Sequence, residues 1–297
     1  MGLPKRRSGQ ATSLQMGEGS IIGTPLLPWT SIMPLLARAR ALESIIRDVA
    51  RDAIMPYFLN AVREHKTDGS SLTQADLASQ QALLEKLPEL EEAPILSEEM
   101  STQEQLACWE TGGQGIWCID PIDGTTNFAN GVPLFAVSVA YMVEGETQYG
   151  VIYNPTTDEA FYAARGCGAW LNGRRLPLRP SSPQLRLSVA GIDFKRISDR
   201  LATELITRPP YYSQRNFGSS ALEWCFVAAG RLDIYLHGGQ ALWDYAAGRL
   251  ILEEAGGAYG VLDGGPLVAA PLPKRAVVLA SNPVLYAEWL AWLQSHR

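Results

Sequence analysis

Across residues 31–63, apolar side chains recur at three- and four-residue intervals, at Leu35, Leu36, Ala39, Leu42, Ile45, Ile46 and Val49, the period of a helix with one buried face. Ser31 is placed to cap this helix. Pro56 should break or kink it near Met55, with Tyr57, Phe58 and Val62 continuing the buried side. A second helical pattern covers residues 76–87. The period then shortens: Ala93-Pro94-Ile95-Leu96-Ser97 reads as a short strand, and Gly115-Ile116-Trp117-Cys118-Ile119 as a buried one. The latter ends on Asp120 and Asp123, and Pro121 between them is expected to stop the ladder. Runs rich in Val, Ile, Tyr, Phe and Ala at 134–142, 148–153 and 159–163, separated by turn residues, predict an antiparallel meander, and 166–173 adds a hairpin.

Beyond this the pattern alternates strand (187–190), helix, strand, helix, strand (276–280) and a last helix opened by Asn282-Pro283. The reading is an α+β fold of alternating helix and sheet layers, with a largely antiparallel first sheet and a mixed α/β second half. Arg179-Pro180-Ser181-Ser182-Pro183 is the candidate boundary, dividing an N-terminal half (31–180) that carries the site from a C-terminal half (181–297). Residues 1–30 read as a tail. Lys5-Arg6-Arg7 is followed there by a Gly/Ser/Gln-rich stretch with no apolar core, unlike a secretory signal, while a transit peptide or an upstream start-codon extension stay open.

Composition narrows the function classes. The 297 residues are 46% hydrophobic and 19% charged, enough for a sizeable core. A net charge of −6, with no basic run longer than Lys5-Arg6-Arg7, argues against a nucleic-acid surface. No stretch reaches the roughly 18 apolar residues that span a bilayer. Cys108, Cys118, Cys167 and Cys225 lack metal-ligand spacing and read as reduced thiols of a cytoplasmic protein.

The candidate chemistry lies in Trp117-Cys118-Ile119-Asp120-Pro121-Ile122-Asp123-Gly124-Thr125-Thr126-Asn127-Phe128. Gly124, Thr125 and Thr126 make a turn whose amides suit an oxyanion. Two carboxylates beside it would repel a phosphate unless divalent cations reverse the local field. A lone Asp-x-x-Asp commonly serves in turns. The full string is more specific: it resembles the first signature of the inositol monophosphatase family, Mg²⁺-dependent, lithium-sensitive phosphatases that share a fold with fructose-1,6-bisphosphatase. Leu242-Trp243-Asp244-Tyr245-Ala246-Ala247-Gly248, running on to Gly256-Gly257, resembles the second, 121 residues later from Asp123 to Asp244.

That resemblance, covering about 35–297, implies a layered αβαβα sandwich, a homodimer, and a small phosphorylated substrate with two or three Mg²⁺ ions per site. It implies Asp120 shared by two ions, Glu98 and the Ile122 carbonyl on the first, and Asp123 and Asp244 on the second, with Glu99 in support. Thr125, polarised by Asp76, would with Glu98 take the proton of the attacking water, and the amides of Gly124 and Thr125 would hold phosphate. The polar loop with Lys66 and Asp68 resembles a mobile family loop that approaches the metals. Gly218, Ser219 and Ser220 fit a helix start able to meet a ligand hydroxyl, while Ser219 reads equally well as a simple N-cap.

Asp123, Asp244 and His237 are further substrate-side candidates. His237 stands seven residues before Asp244, where inositol-preferring members carry Glu, so it is either a selectivity residue or a lone surface His. The expected function is Mg²⁺-dependent hydrolysis of inositol phosphate or a related polyol or sugar phosphate. An adenosine 3′,5′-bisphosphate nucleotidase, a histidinol-phosphatase and a fructose-1,6-bisphosphatase stay open, as does, outside enzymes, a regulatory binding protein on a phosphatase scaffold.

Overall fold

The computed structural model describes residues 29–60, 64–65 and 71–297; the tail to residue 28, Val62, Lys66 and Asp68 lie outside them. Helix α1 (Trp29–Val49) begins two residues before Ser31, so the helix starts earlier than the expected cap position. Its stripe of Ala39, Leu42, Ile46 and Val49 is fully buried. The helix widens into a π turn (Ala50–Ile54) and tightens into a 3₁₀ turn (Met55–Tyr57) at Pro56, which has no N–H to continue the ladder. A small antiparallel pair, β1 (Glu64–His65) and β2 (Ser71–Leu72), precedes α2 (Gln74–Leu90).

Seven strands then form one sheet: β3 (Ile95–Ser97), β4 (Ile116–Asp123), β5 (Ala136–Val143), β6 (Glu146–Asn154), β7 (Glu159–Ala164), β8 (Gly168–Leu171) and β9 (Arg174–Arg175), in that spatial order. β3 and β4 are parallel and every later pair is antiparallel, which is the expected meander. Helix α3 (Thr102–Thr111), absent from the sequence reading, makes the parallel crossover, and α4 (Thr125–Ala129) follows β4.

The second sheet is mixed, in the order β11-β10-β12-β14-β13. It comprises β10 (Val189–Asp193), β11 (Ser213–Arg215), β12 (Ile234–Gln240), β13 (Ala258–Val261) and β14 (Arg275–Ala280). β10 runs parallel to β11 and β12, and β14 antiparallel to β12 and β13. The intervening helices are α5 (Asp199–Thr207), α6 (Ser220–Ala228) and α7 (Leu242–Glu254), and α8 (Pro283–His296) closes the chain.

The core sorts into three apolar interfaces. α1 and α2 cover Trp117, Ile119, Val139, Tyr149 and Val151 on one face of the first sheet. Cys118, Ala140, Ile152 and Phe161 on its other face meet α6 and α7, which in turn meet Tyr235, Val277 and Leu279. α5 and α8 cover Ile192, Ile234, Leu236 and Val278 beyond. The layers are therefore αβαβα. Each large side chain so buried contributes about 1.5–3 kcal/mol.

Because α6 lies between two sheets, it is buried all round: every residue from Ala221 to Ala228 is buried, including one carboxylate, Glu223. Gly248 permits this packing. A Cβ there would sit 2.6 Å from the Cβ of Trp224, so the second signature needs glycine despite its cost of about 1 kcal/mol in a helix. Among the described residues no helix is long and apolar enough to cross a membrane.

Candidate active site

The ladder does not stop at Pro121. β4 continues to Asp123 across a bulge: Asp120 pairs with Ser138 and Asp123 with Ala136, so four residues of β4 oppose three of β5. A proline lacking the N–H is accommodated at such an irregularity. The bulge has a chemical consequence. In a regular strand, residues three apart point to opposite faces, whereas here both carboxylates register with Ser138 and Ala136, which share one face. Asp120 and Asp123 thus both turn toward α7, where Asp244 waits in the first turn.

α7 is pinned in place. Ser138 Oγ donates to the Trp243 carbonyl (3.3 Å) and Thr147 Oγ1 to that of Ala246 (2.8 Å). Asp244 itself accepts from the Ala241 amide at 2.8 Å. One carboxylate oxygen each of Asp120, Asp123 and Asp244 lies within 4.8 Å of the others, with Asp120 and Asp123 buried and Asp244 half-buried. Glu98 stands outside this trio. It is half-buried in the turn after β3, and because Ser97 pairs with Ile119, Glu98 and Asp120 leave the two parallel strands side by side. Glu99, also half-buried, donates its amide to Ser97 Oγ at 3.3 Å.

The electrostatic strain is plain. Burial, then the charges of Glu98, Asp123, Asp244 and Asp76, push the Asp120 carboxyl well above its usual range. Burial lifts Asp123 to about 7 against hydrogen bonds from Ser219 and the Ala221 amide. Burial and the charges of Asp123 and Glu98 lift Asp244 to about 7 as well. Ligand oxygens this close, with neither imidazole nor thiolate in the trio, fit a hard divalent cation that would relieve the repulsion.

Beside the carboxylates, Thr125 Oγ1 lies 3.1 Å from the Ile122 carbonyl and 3.4 Å from Asp76 Oδ1, the side chains expected to meet. The other Asp76 oxygen is held by the amide and hydroxyl of Thr73, at 2.7 and 2.6 Å, in the capping box of α2. Ser79 on the same helix donates to the Pro121 carbonyl (3.1 Å), so the start of α2 carries Asp76 against the bulge. Ile122 is buried, with its amide 3.1 Å from Asp120 Oδ1.

Gly124 begins α4 with φ +90°, and a Cβ there would lie 3.1 Å from the Leu134 carbonyl. Gly124→Ala is therefore expected to destabilise the fold by about 1–3 kcal/mol. It should also slow any reaction at this turn by roughly 100-fold through misplacement. Urea unfolding and a rate assay check both; unchanged stability would mean the left-handed turn is not required.

The candidates at the start of α6 serve Asp123. Ser219 is completely buried and its hydroxyl is bonded to Asp123 Oδ2, while the amides of Ser220 and Ala221 reach the same carboxylate at 3.2 and 2.9 Å. Ser219 also caps α6 through the Leu222 amide (3.4 Å), so the N-cap reading holds and its hydroxyl is already committed. Gly218 (φ +72°) packs against Asn127, whose Nδ2 donates to the carbonyls of Leu134 (2.6 Å) and Phe217 (2.7 Å).

Sequence reasoning missed Asn127, which ties the first signature to α6. It also missed Glu223, where burial raises the carboxyl to about 7 against bonds from the Phe217 amide and Tyr235. A charged residue inside an otherwise apolar helix is the signal that would have found Glu223.

His237 is not a surface histidine. It is buried, and the Gly239 amide donates to Nδ1 (3.1 Å), which places the ring proton on Nε2, 3.1 Å from Asp193 Oδ2. Arg196 Nη1 reaches the same Asp193 oxygen at 2.7 Å. Against the effect of burial, the His237 bond, the Lys195 amide and the Arg196 charge hold the Asp193 carboxyl well below its usual range. Both ring nitrogens are therefore engaged by the chain.

The cluster lies at the carboxyl end of β10, where Asp193 pairs with His237 in the middle of the parallel strand β12. His237→Glu would set two carboxylates together. It is expected to cost about 1–3 kcal/mol in urea unfolding, part of which Asp193→Asn restores in the double variant. A stable single variant would show that Asp193 tolerates the second charge.

The sequence profile of the inositol monophosphatase family matches residues 34–297. A Pasteurella multocida protein named Nus factor SuhB is 36% identical over 239 residues, covering 75% of this chain and 87% of the relative. An inositol-1-monophosphatase of Mesorhizobium japonicum is 39% identical over 176 residues, 57% of this chain and 64% of the relative. A solved IMPase of Thermotoga maritima superposes with a TM-score of 0.76 at 27% identity, covering 87% of this chain and 97% of its own.

Proposed function

The chain belongs to the inositol monophosphatase family, whose members are phosphomonoester hydrolases, and we propose that it hydrolyses inositol phosphate or a related polyol or sugar phosphate with Mg²⁺ as cofactor. One observation carries this reading: three crowded carboxylates that burial and mutual repulsion would neutralise, set beside a glycine turn that opens a helix. Asp120, Asp123 and Asp244, with Glu98 and the Ile122 carbonyl, would hold two or three Mg²⁺ ions. Bound there, Mg²⁺ supplies Lewis acidity toward water and phosphate.

The chain's own residues supply the rest. The amides of Gly124 and Thr125, in the turn where a helix leaves its N–H groups unpaired, orient phosphate oxygens. Thr125 can pass a proton toward Asp76 Oδ1, while Thr73 holds the other carboxylate oxygen. Glu98 shares this role from the turn after β3. The α6 amides keep Asp123 directed at the centre. With both His237 ring nitrogens bonded within the chain, a ligand there makes few bonds to that residue.

A panel of inositol 1-phosphate, adenosine 3′,5′-bisphosphate, histidinol phosphate and fructose 1,6-bisphosphate tests the substrate. The inositol ester should give the highest kcat/KM, and a higher value for another ester would move the assignment to that alternative. The same reading takes the protein as a cytoplasmic homodimer, checked by sedimentation. A second reading is a role through a protein partner, favoured by a relative named Nus factor SuhB. An inactive variant that still performed the cellular task would support it.

A further inference from the structure

On the far side of α6 from Asp123 lies a cavity of about 460 Å³ lined by Arg174, Leu178, Arg179, Ala229 and Arg231. Three guanidinium groups around one cavity are unusual in a chain of net charge −6. The local sequence explains two of them: residues 160–192, which include Arg174 and Arg179, contain five arginines and not one Asp or Glu. Of the three, Arg231 is anchored, bonding Glu159 through Nη1 (2.9 Å) and Nη2 and lying over the rings of Phe161 and Phe226. Arg174 and Arg179 are exposed, and among the described residues neither side chain makes a hydrogen bond or ion pair.

The neighbouring arginines are already engaged: Arg175 lies over the Trp170 ring, and Arg165 pairs with Glu146 and Glu253. The acids close by are spent as well. Glu159 serves Arg231, and the two oxygens of Asp233 accept from the amides of Ser182 and Val189. Arg174 and Arg179 therefore bring positive charge to the cavity that no ion pair compensates. Its volume lies in the ~300–1,000 Å³ range of small-ligand sites, and paired guanidinium forks match phosphate oxygens.

We propose that this cavity is a second anion site, separate from the carboxylate centre, which binds a phosphorylated small molecule through Arg174 and Arg179, with Arg231 as its fixed wall. The separation is physical. Ser220 at one end of α6 meets Asp123 while Ala229, just past the other end, lines the cavity, and nine helical residues span about 13 Å. Leu178 and Ala229 give the pocket an apolar floor that suits the body of a small organic phosphate.

Inorganic pyrophosphate titrated calorimetrically into EDTA-treated protein tests this site, because without cations the acidic centre repels the same anion. Wild-type protein should bind it with an affinity that weakens as salt rises. The Arg174→Ala/Arg179→Ala variant should lose about tenfold or more in affinity while keeping its cation-dependent phosphatase rate. Arg165→Ala, which removes an arginine of the same stretch outside the cavity, should bind as wild type does. No binding by wild-type protein, or equal binding by the double variant, would overturn the proposal. Equal losses in the double variant and in Arg165→Ala would also overturn it, since they would mark a diffuse charge effect and not a site.

Discussion

Asp120→Asn is expected to lower Mg²⁺-dependent phosphate release by about 10³-fold or more while leaving the protein folded. Asn keeps the shape of a side chain that is 1% exposed, and it removes the charge at the point where Glu98, Asp123, Asp244 and Asp76 all act. A cation held there is worth several kcal/mol to a phosphoryl transition state, and each ~1.4 kcal/mol is a factor of ten in rate. The same substitution relieves like-charge repulsion in the cation-free protein. Its Tm in EDTA should therefore equal or exceed that of wild type, and the rise in Tm on adding Mg²⁺ should shrink. A variant that is inactive because it is unfolded would show the opposite, a lower Tm in EDTA.

The second large effect is on pH. In the cation-free site Asp123 and Asp244 titrate at about 7, above the ~3.9 of an unfolded aspartate. A carboxyl whose folded pKa is raised contributes stability that is complete below its unfolded value and is lost as pH rises through the folded one. The cation-free protein thus loses stability from these groups between about pH 4 and about pH 7.

For buried Asp123 the loss approaches about 4 kcal/mol as an upper bound. Mg²⁺ competes with those protons and restores it. The Mg²⁺-induced rise in Tm should be small near pH 5.5 and large near pH 7.5, with calorimetry near pH 6.5 recording about one proton or more released per site. Asp123→Asn should flatten the dependence. An increment in Tm that does not change with pH would mean that these carboxylates are not the ligands.

Much of this arrangement is legible along the chain because it is local. The helical stripe of α1, the meander from β5 to β7 and the Asn282-Pro283 helix start are written in residues that touch their near neighbours. The two signatures place Asp120, Asp123 and Asp244 in one centre because a family constraint stands behind each string.

What escaped is what tertiary pairing decides. The bulge at Pro121 depends on β5, which supplies three residues against four, and proline alone predicted a stop. Ser219 finds Asp123 across 96 positions, and His237 finds Asp193 only because β10 and β12 lie parallel. Helix α3 is a different case. Its Ser101-x-x-Glu104 capping box is present in the sequence, but its apolar period is weak, and the periodicity that located the other helices passes over it.

The central claim, that four carboxylates on a bulged strand and two neighbouring elements form a cation-dependent phosphatase site, is tested most directly by phosphate release from inositol 1-phosphate. The assay compares the protein in EDTA with the same protein after Mg²⁺ is restored. The account predicts no turnover in EDTA and full recovery with Mg²⁺. Release that persists in EDTA, or that fails to appear with Mg²⁺ for this and every related ester, would contradict it.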